Sequence, residues 1–176
     1  MVNAHDGGAA YRFLAGYFRV VCSNGLVTGD ITAALRVPHL GDVLSQVLTV
    51  TYRIAEESEA MVQVIDAMRQ ILLTIEEQRL LAQFAIDIRF PKPANVEERD
   101  LAPARPSSED FLRPKRDQDR GQSLWTTYNV IQEWMMVGGI RLRDGRRTRP
   151  IGGIDQGLQL NSALWMEAQR LLTTKR

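Results

Sequence analysis

A chain of 176 residues is long enough to bury a hydrophobic core and short enough for one domain. Its net charge of +1 lacks the large basic excess of proteins that coat nucleic acid indiscriminately. The single cysteine, Cys22, excludes an internal disulfide and a multi-cysteine zinc site.

Met1 leads into Asn3, His5 and Asp6 with no secretory leader, and the apolar runs are interrupted by Arg, Glu or Gln. A cytoplasmic chain without membrane spans is therefore expected. Residues Tyr11 to Cys22 end in strand formers, Tyr17, Phe18, Val20 and Val21, which would bury the Cys22 thiol. Ser23-Asn24-Gly25 signals a turn, Leu26-Val27-Thr28 a returning strand, and Leu35 to His39 a third extended segment.

Apolar residues then recur at helical spacing from about Asp42 to Leu73. Thr74-Ile75-Glu76-Glu77 matches a capping box, so a new helix starts there and ends before Pro91-Lys92-Pro93. Residues 91–106 read as an exposed proline-rich linker within a single domain spanning 1–176. Ser107 caps a short helix, the charged run Arg113 to Arg120 reads as a solvated loop, and Ser123 caps a helix to about Val137. Gly138-Gly139 stops that helix, and Ile151 to Ile154 reads as a hinge before a last helix, Asp155 to Leu172. The expected fold class is α+β, a small N-terminal antiparallel sheet packed against several α-helices, one of them long.

Catalytic signals are sparse. His5 and His39 are the only histidines, and neither a nucleophile elbow nor a phosphate-binding loop is present. The expectation is no enzyme, no metal and no cofactor; the rival reading is a hydrolase using His5 and Asp6, with Asn24 in the same cleft.

The segment Arg141 to Pro150 is the most specific feature. It carries Arg141, Arg143, Arg146, Arg147 and Arg149 around an Asp144-Gly145 turn. A strand places Arg141 and Arg143 on one face, with Arg146, Arg147 and Arg149 across the turn. Crowded guanidiniums repel unless anions lie between them, so the segment is either a solvated hairpin tip or a binding surface for phosphates or carboxylates. Trp125 and Tyr128, one helical turn apart, belong to a core stripe by their spacing but are also candidates for stacking on bases.

In order along the chain, several segments resemble the phage/plasmid-like family of unknown function numbered nine-three-two. They are Asn3 to Gly7, Phe18 to Leu26, Leu124 to Asn129, Arg146 to Arg149, Gly153 to Gln156 and Leu160 to Trp165. The resemblance implies carriage on mobile elements but supplies no reaction and no catalytic residues. The resemblance also implies a longer region before the His-Asp-Gly motif, so the expectation is either a shortened member or a chain whose start is missing. The resulting expectation is a mobile-element accessory protein that binds a host protein or nucleoprotein complex as an anti-defence, anti-CRISPR-like inhibitor. The alternative is a single-strand nucleic-acid-binding or annealing accessory protein. A homodimer through the long helix is open, and no membrane partner is expected.

Overall fold

The computed structural model describes residues 11–20, 27–37, 43–92 and 104–175. They belong to two compact units, Met1–Ile65 and Asp66–Arg176. In the first, β1 (Tyr11–Val20) pairs antiparallel with β2 (Val27–Val37), from Tyr11 opposite Val37 to Val20 opposite Val27, with an irregularity between Ala15 and Gly16. The second and third extended segments expected from the sequence are thus one strand, and the turn between strands lies outside the described residues. Helix α1 (Val43–Gln70) begins in this unit and ends in the second.

Helices build most of the packed core of the second unit. They are the end of α1, α2 (Ile75–Arg89), α3 (Ser108–Phe111), α4 (Leu124–Val137) and α5 (Ile154–Thr174), with a 3-10 turn at Asp117–Asp119. This overturns the α+β expectation: among the described residues, the second unit by itself holds helices and no strand beyond isolated bridges. The strand formers of the first unit pair with each other, and the apolar stripes of α2, α4 and α5 close the core of the second.

Local signals set the helix ends. Thr74 Oγ1 accepts from the Glu77 amide while the Glu77 carboxylate accepts from the Thr74 amide at 2.7 Å, which starts α2. Ser107 with Asp110 starts α3 in the same way, and Ser123 Oγ accepts from the Thr126 amide to start α4. The linker expected over 91–106 is exposed at Pro91 and Lys92, but its end is anchored. There Arg105 pairs with Asp87, whose carboxyl that guanidinium holds below its usual range, and Pro106 is buried.

Helix α4 lies at the centre, against α2, α3, the 3-10 turn and α5. Every residue from Thr127 to Glu133 is buried. With Tyr128 and Ile131, the core holds Met68, Leu81, Ile86, Phe111 and Leu164, all under 2 % exposed. Three polar members of α4 find partners inside, while the Thr127 and Tyr128 hydroxyls lie buried without one among the described residues. Asn129 donates to the Trp125 carbonyl at 2.8 Å, and Gln132 donates to the Asn161 side chain at 3.3 Å. Glu133 pairs with Arg116 at 3.2 Å. At the rim of α4 the Trp134 indole donates to the Arg113 carbonyl at 2.7 Å, and Lys115 lies 3.6 Å from the centre of the same ring, a cation–π contact.

Leu164→Ala should cost about 2–5 kcal/mol in urea unfolding, whereas exposed Leu80→Ala should stay within about 0.5 kcal/mol. Equal effects would contradict the core assignment.

Lys175 at the end of α5 donates to Glu77 at 2.7 Å. That bond, then the Thr74 amide, pulls the Glu77 carboxyl from 4.5 to about 2. A carboxyl depressed by folding stabilises the fold fully above its unfolded value and stops doing so as the pH falls through its folded value. The contribution should therefore disappear between pH 4.5 and about 2. Glu77→Gln should flatten the acid limb of melting temperature against pH; an unchanged limb would show that this pair contributes nothing.

Candidate functional site: an arginine-faced hairpin

The polypeptide leaving α4 turns sharply back on itself. The Gly138 amide donates to the Trp134 carbonyl at 3.1 Å, and Gly138 adopts φ +65°, ψ −147°, a conformation that side-chain-bearing residues rarely take. A Cβ there would lie 2.7 Å from the Arg149 carbonyl oxygen, so the glycine also permits a close backbone approach.

Cross-strand bonds then form a hairpin. Gly139 N–H donates to Thr148 O at 2.8 Å, Thr148 N–H to Ile140 O at 2.9 Å and Leu142 N–H to Arg146 O at 2.7 Å. Gly145 at φ +83° completes the turn, and its amide donates to Leu142 O at 3.0 Å, as expected for a three-residue loop ending in glycine.

This bonding pattern sorts the arginines. Ile140 and Thr148 face inward at 5 % and 7 % exposure, and the Thr148 hydroxyl accepts from the Ile140 amide at 3.0 Å. By alternation Arg141, Arg147 and Arg149 share the outward face, with exposed Arg143 at the turn corner. Arg141 and Arg147 lie directly opposite each other. The bonds flank this pair rather than join it, so the two Cα atoms are about 4.5 Å apart, the closer of the two antiparallel spacings. Like charges so placed repel.

Arg146 belongs to the other set. Its Nε donates to Asp144 at 2.8 Å and its amide to the same carboxylate at 3.0 Å. The pair holds the Asp144 carboxyl below its ordinary value and the Arg146 guanidinium above its own. Among the described residues, Arg141, Arg143, Arg147 and Arg149 form no such ion pair. Of the five arginines singled out in the sequence, the structure thus gathers three on one face and a fourth beside them, and neutralises Arg146.

The stacking candidates separate too. Tyr128 is 1 % exposed, its ring stacked on Trp125 at 5.8 Å and edge-on to Trp165 at 5.6 Å. Burial withdraws Tyr128 as a platform for bases; half-buried Trp125 remains. His5, Asp6, Cys22, Asn24 and His39 lie outside the described residues. Among the described residues no group of three or more His, Cys, Asp or Glu could hold a metal ion.

Two contributors escaped the sequence reading. Thr148 is the buried residue among arginines, and alternation alone would have marked it. Arg89, the last residue of α2, donates from Nε to the Met135 carbonyl at 3.1 Å and from Nη2 to the Arg149 carbonyl at 2.7 Å.

A family model described as Domain of unknown function (DUF932) matches residues 1–165. Among curated proteins, the UPF0380 protein YfjQ of Escherichia coli (strain K12) is 41% identical over 177 residues, covering 98% of this chain and 62% of its own length. The UPF0380 protein YafZ of the same strain is 40% identical with the same coverage. The chain thus spans less than two thirds of these relatives. No solved structure matches it significantly.

Gly138→Ala should destabilise the protein by more than about 1 kcal/mol, because the conformation is strained for alanine and the Cβ meets backbone. Gly139→Ala has open space and should strain only its own φ. Equal urea midpoints for the two variants would rule out the tight approach at Gly138.

Proposed function

The chain belongs to this family of unknown function, and from that premise we propose that it is a non-catalytic binding protein of mobile elements, an anti-defence inhibitor of the anti-CRISPR kind. It docks on a host nucleoprotein complex through Arg141, Arg143, Arg147 and Arg149.

One observation carries this reading: Arg141 and Arg147 oppose each other at the closer antiparallel spacing, without a carboxylate partner among the described residues. An anion between them turns mutual repulsion into two forked contacts. The net charge of +1 favours a defined anionic surface over long-range attraction to bulk DNA.

The test is expression in a host whose CRISPR effector targets an infecting phage. The wild-type chain should restore plating and co-purify with the effector. Arg141→Glu combined with Arg147→Glu should weaken capture by about 100-fold or more while circular dichroism stays unchanged. No rescue of plating by the wild type would sink the anti-defence reading, and full capture by the double variant would sink the surface. Binding of the wild type to a single-stranded oligonucleotide alone, lost with added salt, would move the assignment to a nucleic-acid accessory protein.

A further inference from the structure

We propose that Arg89 is the positioning residue of the arginine face: it fixes the hairpin on the helical body and does not itself meet the partner. The value of that posture rests on the function proposed above; the clamp itself does not.

The last helical bond of α4 is the one to Trp134 O, and the carbonyls after it lack helical partners. Three carbonyls at this end are taken in succession. Trp134 O accepts from the Gly138 amide at 3.1 Å, Met135 O from Arg89 Nε at 3.1 Å, and Met136 O from the Ile151 amide at 2.9 Å. The first begins the hairpin and the third closes its exit. The middle one belongs to a side chain from another helix, which reaches on to Arg149 O at 2.7 Å. One guanidinium therefore joins the end of α4 to the exit strand, and Arg149 belongs to the outward face.

The chemistry requires arginine. Its planar fork offers two donors in fixed divergent directions, whereas a lysine ammonium is a point charge that reaches one carbonyl well. Among the described residues no carboxylate pairs with Arg89; its charge lies at the negative end of the α4 dipole, with the Phe90 ring centre 5.1 Å away. The partly buried guanidinium is accordingly lowered in pKa by desolvation. Gly138 lies close to the same carbonyl, since a Cβ there would be 2.7 Å from Arg149 O. The exit strand is thus fixed between a glycine that permits the approach and an arginine that bonds it.

The first measurement uses the free 176-residue chain and needs no partner. In Arg89→Lys, amide hydrogen exchange at Gly139, Leu142 and Thr148 should accelerate by about tenfold or more, while the amides of Leu81 and Ile131 keep their protection. Unchanged hairpin protection overturns the clamp. Parallel acceleration of hairpin and core overturns it as well, because Arg89 would then be an ordinary stabilising residue. The second measurement is elution from phosphocellulose. Lysine conserves charge, so a general electrostatic role leaves the elution salt unchanged. Positioning predicts earlier elution, towards that of Arg147→Ala. Faster hairpin exchange with unchanged elution would leave the clamp standing and remove its role in recognition.

Discussion

The enclosure of α4 is the constraint from which the second unit follows. A helix surrounded by neighbours cannot leave polar groups to water, and each unpaired one costs about 1–3 kcal/mol. Asn129, Gln132 and Glu133 therefore require Trp125 O, Asn161 and Arg116 as partners. The same demand at the end of the helix explains the hairpin. Its departing strand, its returning strand and Arg89 each satisfy one terminal carbonyl of α4. The arginine face is thus attached to the best-packed element of the second unit.

What could be read in advance was local. The Thr74–Glu77 box, the Ser107 and Ser123 caps, the Gly138-Gly139 stop and the Asp144-Gly145 turn each act within a few residues, so their chemistry is written in adjacent letters. The sheet packed on helices failed as an expectation because strand formers reveal a tendency to pair, not a surface to pack against. Nothing in the order of residues 141–149 separates one of the five arginines from another. Only the cross-strand bonds distinguish outward Arg147 from Arg146, which folds back on Asp144. Arg89 was invisible for a different reason: its acceptors lie 46 and 60 residues away, and no local pattern marks a carbonyl clamp.

The aromatic cluster shows how periodicity and chemistry can disagree. Trp125 and Tyr128 have the ring faces that nucleic-acid binders use, yet their helical spacing favours the core, and Tyr128 lies there between two indoles. Sequence spacing ranked these roles correctly for Tyr128 and left Trp125 half-buried at the margin.

Asp144 also determines how charge is distributed over the second unit. Residues 66–176 hold 18 basic and 15 acidic side chains, a net +3. The hairpin residues 141–149, five arginines less one aspartate, account for +4, so the rest of the unit sums to −1. A nearly neutral body bearing one cationic prong experiences a torque in the field of an acidic surface before any contact forms. Facing such a surface, a unit charged in this way would turn prong-first, and orientation more than total attraction would set its rate of productive encounter.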